Sequence, residues 1–363
     1  MGFLSLFKRD SYVINGDTCT LRFEKKGELT KDRVKKLLDF DEIWSIKAIN
    51  VYVGSEVDSI GIGAFSGNKK ILRVKIEGDV TKIEFFAFRG CVALREINLP
   101  SSLRVILQEA FSGCVSLSGI ALPQGLTGVG EKAFFGCSAL EVELPKSLEK
   151  IGKDAFSGCV SLKEVVVPGG VKEIGANAFY GCTGLKKVEM QNGVKNVEKQ
   201  AFAFCTALEN IIFPENLFKI GEGAFMECPA LVSVDVPAGA AHIEAYAFSE
   251  CRNITSVKLP KNLYAIGDCA FNKCTSLESI SIPQGVAVLG QKAFNDCTSL
   301  TVIKIPQSVK KVGRGAFTHC KGLKVFCEAD ERPEGWHTQW IYSKKSIEWG
   351  QLVSKKKMSN DEE

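Results

Sequence analysis

Histidine is scarce in this chain, with three among 363 residues. The side chain most often used for proton transfer and metal binding is therefore nearly missing. No Cys-x-x-Cys pair occurs among the fourteen cysteines, so none of the usual zinc or dithiol spacings is present. No apolar stretch approaches the roughly 20 residues of a membrane span. Charge is balanced as well. The 46 basic and 42 acidic residues are interspersed and leave a net +4, without the one-sided basic stripe that a nucleic-acid partner demands.

The amino terminus reads neither as a secretory signal nor as a myristoylation site. In Met1-Gly2-Phe3-Leu4-Ser5-Leu6-Phe7-Lys8-Arg9 the charges follow the short apolar run, and no small-residue cleavage site appears. Leu6 occupies the position where a myristoylation pattern needs Ser or Thr. Read at face value, the chain is expected inside the cell, although a chain trimmed of an export signal would look the same. The apolar share of 45% and charged share of 24% are globular values, which argues against long disordered tracts.

What the chain does contain is repetition. Ala-Phe recurs in register twelve times, from Ala64-Phe65 to Ala316-Phe317, in steps of 23 residues with a single step of 22. The short step follows Cys137, where the run Ser138 to Pro145 has lost one residue relative to Val160 to Pro168. A local bulge or kink is expected there. Within one unit, Leu162, Val165 and Val167 follow a two-residue apolar period that predicts a short strand. Pro168 and Gly169 end it, because proline cannot donate to a ladder and glycine permits the turn. Val171 and Ile174 form a second extended segment, and Ala178-Phe179-Tyr180-Gly181-Cys182 makes the corner into the next rung. Ordering 23 residues costs roughly 1–2 kcal/mol each in backbone entropy, which the few buried side chains of one unit cannot offset. Rungs must therefore stack, and the two ends need covers.

Both ends can be read. Asn15-Gly16 lies between two β-prone runs and predicts a hairpin. Thr30 is placed to cap a helix over about residues 31–39, with Val34, Leu37 and Leu38 on one face. Residues 328–350 break the period and concentrate aromatic bulk in Trp336, Trp340, Tyr342 and Trp349, which should cover the last rung. The organisation expected is a cap over 1–44, twelve repeats over 45–327, a Trp-rich cap over 328–350 and a disordered tail over 351–363.

The unit Ile-Gly-x-x-Ala-Phe-x-Gly-Cys-x-x-Leu-x-x-Val-x-Val-Pro resembles the BspA-like leucine-rich-repeat family, the 23-residue bacterial and protist class. The resemblance covers about residues 45–327 and extends to Cys327-Glu328-Ala329, Pro333-Glu334-Gly335-Trp336, Trp340 and Ile347-Glu348-Trp349-Gly350 at the end. It implies a repeat solenoid, a right-handed horseshoe superhelix of short parallel β-strands with turns and short helical corners. It also implies adhesion or recognition at a cell surface.

Eleven cysteines, Cys91 to Cys320, share one repeat position, and Asn68 stands there in the first repeat. Their parallel inward vectors and odd number favour buried, reduced thiols over disulfides or a metal site. His242, His319 and His337 lie in different rungs or in the cap and define no acid–base pair. The glycines of Ile60-Gly61-Ile62-Gly63 lack the Lys-Ser ending of a phosphate loop and belong to the turns. Asn253-Ile254-Thr255 is a lone glycosylation sequon whose Ile254 falls in the buried leucine column. No catalytic residue, cofactor or metal site is expected.

Function is then expected in the positions that vary. On each strand these flank the central Val or Ile, beginning with Arg73 and Lys75, Glu96 and Asn98, then Gly119 and Ala121. The middle of the row holds Glu141 and Glu143, Glu164 and Val166, Lys187 and Glu189, and Asn210 and Ile212. It continues through Ser233 and Asp235, Ser256 and Lys258, Ser279 and Ser281, and Val302 and Lys304. A continuous concave strip, acidic and partly apolar at its middle and hydroxyl-rich and mildly basic beyond, suits a protein or glycoprotein partner. The expected function is a non-enzymatic interaction module. The alternatives are an adhesin that binds host matrix, a structural spacer, or an enzyme.

Overall fold

Every unit of the repeat leaves backbone donors and acceptors unpaired above and below, and the fold is the arrangement that pairs them. In the computed structural model, which describes residues 9–342 and 346–351, each unit forms one rung of a parallel β-solenoid. One side carries the strands of the Leu-x-x-Val-x-Val run. They pair in three sections: Thr18–Phe23 through Gly119–Ile120, then Glu164–Val167 to Asn210–Ile212, then Ser233–Asp235 through Lys324–Cys327. The other side is an unbroken sheet of eleven two-residue strands from Lys82–Ile83 to Lys311–Val312.

The corner between the two sheets is a third ladder. In the rung of Phe179, the N–H groups of Asn177, Phe179 and Gly181 donate forward to the carbonyls of Lys199, Ala201 and Ala203 at 2.8–2.9 Å. The same corner has bonds from Ala178, Tyr180 and Cys182 back to residues three earlier, as a 3₁₀ turn would. These turns never grow into the short helices expected at the corners, because left-handed residues interrupt every one. The position before each Ala has positive φ in all twelve corners, from Gly63 to Gly315, and so does the second position after each Phe, from Gly67 to His319. The α-helices among the described residues are Lys31–Leu38 and Asp41–Trp44.

The core is a set of columns, and the phenylalanine column dominates it. From Phe65 to Phe317 the rings stack nearly parallel, with centroids 5.1–5.5 Å apart. At each end the next ring turns on edge: Phe23 meets Phe65 at 73° and Trp340 meets Phe317 at 84°. These two residues belong to modified rungs. At the amino end Leu29 bridges to Ile60, and the helix Lys31–Leu38, capped by the Thr30 hydroxyl, occupies the chain path of a corner. The hairpin turns at Gly16-Asp17, one residue later than expected, with Asn15 paired to Thr18 and Gly16 at φ 58°. At the carboxyl end Trp336 bridges to Val312, and its indole donates to the Val309 carbonyl at 3.1 Å.

Two further expectations change. Trp336 and Trp340 are buried and Trp349 packs beside them, but Tyr342 is 89% exposed and covers nothing. The strand row is also not continuous. In the short rung the segment 141–144 holds no strand, since losing one residue there moves the strand out of register while the corner stays in place. A second gap separates Ile212 from Ser233, beside Phe213, whose ring meets Phe225 edge-on at 5.6 Å in a column otherwise held mainly by aliphatic side chains. The tail, apart from Gln351, lies outside the described residues, as do 1–8 and 343–345. No described helix is long and apolar enough to cross a membrane.

Candidate interaction surface

Parallel pairing fixes which variable side chains are neighbours. Glu96 lies opposite Arg73 and Gly119, and the Arg73 guanidinium reaches the Glu96 carboxylate at 3.0 Å. Asn98 turns back to the chain instead. Its amide pairs with both the N–H and the C=O of Ile76, each at 2.8 Å, and prolongs the ladder by one peptide-like step. Glu164, Lys187 and Asn210 form one cross-rung row, and Val166, Glu189 and Ile212 the next. Val166 and Ile212 are 42% and 43% exposed. In the third section Ser233 aligns with Ser256 and Ser279, and Asp235 with Lys258. Most of the expected positions face solvent, with Lys187 and Glu189 half-buried.

Hollows open along this face among the described residues. Glu141, Glu143 and Glu164 share one of about 600 Å³ with Ala121 and Lys163, at the rung that lacks a strand. Another of about 730 Å³ lies among Asp235, Ser256, Lys258, Ser281 and Lys304. A third, about 840 Å³, runs from Thr20 and Arg22 past Asn50, Tyr52 and Arg73 to Gly119 and Ala121.

Sequence reasoning missed the amino-terminal end of this third hollow. It assigned Thr20 and Arg22 to the cap and began the variable row at Arg73, after Asn50 and Tyr52, yet their strands continue the same sheet. Tyr52 lies under Arg22 at 4.9 Å, and its hydroxyl donates to Glu77 at 2.5 Å. That bond, with some burial, raises the phenol above its ordinary range. The Oδ1 atom of Asn50 is buried without a partner among the described residues. The alternation of Ala48 to Val53 was the signal that could have extended the row.

The cysteine column also does more than fill space. From Cys91 to Cys320, each thiol lies 3.0–3.3 Å from the carbonyl oxygen of the phenylalanine in the preceding rung. In nine of these eleven pairs, all but those of Phe225 and Phe294, the carbonyl already accepts the N–H three residues later in its own corner, so the thiol donates to its second lone pair. All fourteen cysteines are free. Burial pushes the column thiols up, to about 12 at Cys91, Cys137, Cys182, Cys251 and Cys320. Ile254 of the sequon is fully buried. Of the histidines, His319 Nδ1 lies 3.1 Å from Asp296, and His337 accepts from the Gln339 N–H. Among the described residues no group of three or more His, Cys, Asp or Glu is placed to hold a metal ion.

Residues 40–143, 127–252 and 241–328 match the profile of the BspA type leucine rich repeat region. A leucine-rich repeat protein from Bacteroides ovatus is 27% identical, with 95% of this chain and 99% of that one covered and a TM-score of 0.56. One from Eubacterium ventriosum is 20% identical over 90% and 94% of the two chains, with a TM-score of 0.54, and shares the fold. No curated protein matches the chain.

Proposed function

Because the chain belongs to the BspA-type leucine-rich-repeat family, we propose that it is a non-enzymatic interaction module that recognises a protein or glycoprotein through the strand face. The inward columns are committed to packing, which leaves the exposed positions between them free to vary. The observation that carries the reading is the convergence of Glu141, Glu143 and Glu164 on one hollow, with exposed Val166 and Ile212 on the rungs beyond. Charge orients an encounter and apolar area holds it. The partner-binding set is Glu96, Asn98, Glu141, Glu143, Glu164, Val166, Lys187, Glu189, Asn210, Ile212, Ser233, Asp235, Ser256 and Lys258. A surface adhesin is the more specific form of this role, and an export signal encoded upstream or surface labelling of intact cells would support it.

The test compares two triple variants. Partners captured from native lysate on the immobilised protein are identified, and their affinities are measured. Reversing Glu141, Glu143 and Glu164 to Lys is expected to weaken binding at least tenfold, about 1.4 kcal/mol, with little change in the thermal midpoint. Reversing Glu149, Lys150 and Lys172, which are exposed on and beside the opposite sheet, should do much less. If the second set abolishes binding and the first does not, the recognition face is elsewhere.

A further inference from the structure

The left-handed position two residues after each Phe changes character halfway along the solenoid. Gly67, Gly90, Gly113, Gly136, Gly158 and Gly181 occupy it in the first six rungs. Phe204, Glu227, Glu250, Lys273, Asp296 and His319 occupy it in the last six, at φ of 55–62°. A side chain costs roughly 1–2 kcal/mol in this conformation. The first six rungs show that glycine satisfies the geometry, so packing does not require the later side chains. Strain retained over successive rungs points to a role for the groups that carry it.

Those groups are held in place across rungs. Glu250 accepts from Lys273 at 2.6 Å and from Arg252 at 2.7 Å. The buried Asn295 amide donates to Asn272 at 2.9 Å and to Asp296 at 2.8 Å. Lys273, Asp296 and His319 themselves line a groove of about 1110 Å³ on the corner face. Tyr246 lies along it, 43% exposed. Lys292 and Arg314 line it too, exposed and without an ion pair among the described residues. The groove thus combines an aromatic surface, ordered amides and two free cations, which is the chemistry for an anion with many hydroxyls.

We propose that this corner groove binds an anionic oligosaccharide, with one sugar unit aligned to each rung. The spacing favours a sugar chain over an extended peptide. Rungs repeat every 5.1–5.5 Å in the adjoining phenylalanine column, close to the length of one pyranose unit. A peptide strand presents side chains on one face only every ~6.6 Å and falls out of step within two rungs. Lys292 and Arg314 take the carboxylate or sulfate groups, Tyr246 stacks on a sugar face, and the amide row meets hydroxyls. The site is separate from the strand face and does not depend on a partner there.

Titration calorimetry of the full chain with a heparin hexasaccharide tests the proposal, with hexaglutamate as the peptide comparison. The hexasaccharide should bind the wild type, and K292E/R314E should weaken it at least tenfold at an unchanged thermal midpoint. Tyr246→Ala should weaken it as well. If K292E/R314E does not fold, K292Q/R314Q takes its place with the same expectation. Lys substitutions at Glu141, Glu143 and Glu164 should leave this affinity no weaker, which separates failure here from failure on the strand face. No binding to the wild type, equal binding to the charge-altered variant, or equally tight binding of hexaglutamate overturns it.

Discussion

Mild alkali should unfold this protein within a narrow range of pH, and the thiol column determines where. Eleven thiols occupy the column, and all but Cys320 are fully buried. Burial raises the folded thiols to about 12 at Cys91, Cys137, Cys182, Cys251 and Cys320 and well above the ordinary range of 9 at the others. The folded state therefore keeps its protons to higher pH than the unfolded chain does. The associated stability is fully present below pH 9 and is lost as pH rises from about 9 to about 12. At about pH 10 each unfolded thiol gains roughly 1.4 kcal/mol by ionising, so the column lowers stability by about 15 kcal/mol, comparable with the whole stability of an ordinary domain. Far-UV circular dichroism against pH under reducing conditions measures the transition. Its steepness reports the protons released, which should fall by about four after Cys159, Cys182, Cys205 and Cys228 are changed to Ala. Steepness is the quantity to read, because the cavities left by Ala lower stability at every pH. A fold that survives to about pH 11.5, or equal steepness in the two proteins, would refute this account of the column.

Phe179→Ala removes a fully buried ring stacked on both neighbours and should cost about 3–5 kcal/mol, against roughly 0.5 or less for the exposed Glu164→Ala. With a urea slope of about 3 kcal/mol/M, the first midpoint should fall by more than about 1 M; equal midpoints would contradict the column assignment. A thiol reagent should label few column cysteines before unfolding and all of them after it, with partly exposed Cys320 first among them. Mass spectrometry that finds the central thiols modified at the outset would count against burial.

The solenoid was legible because its signals are periodic. Ala-Phe at every twenty-third residue located the corners, and Leu162, Val165 and Val167 located a strand with the correct residues inside. The missing residue before Pro145 marked the place where the strand row parts. Less was legible where one side chain serves two purposes. The inward cysteines read as small apolar fillers, and only the folded geometry brings each thiol to a carbonyl 26 or 25 residues back. The left-handed position before each Ala holds Phe, Glu, Lys, Asp, Asn, Gln, Tyr and Cys as well as Gly, so no residue type gives it away. Gly67 to Gly181 did signal the second such position, but Phe204 to His319 hid its continuation. Of the candidate surface, the facing of the row was readable from alternation, whereas the hollow shared by Glu141, Glu143 and Glu164 depends on the gap in the sheet. Tyr52 was overlooked because the row was begun at the first full repeat, although the sheet starts earlier.

The edge-on rings of Phe23 and Trp340 have a consequence for how such a chain changes length over evolutionary time. Between them the corner of every rung sees an almost identical corner on either side, so the excision of 23 residues from one Ala-Phe to the next rejoins ring surfaces that already match. Duplication is equally permissible, each added copy lengthening the stack by one ring spacing. Neither terminal unit can be copied into the interior, because a perpendicular ring there would present the wrong face to its neighbour. Length in this architecture is thus open to recombination inside and closed at its two boundaries, and new binding positions can be acquired a whole rung at a time without renegotiating how the molecule ends.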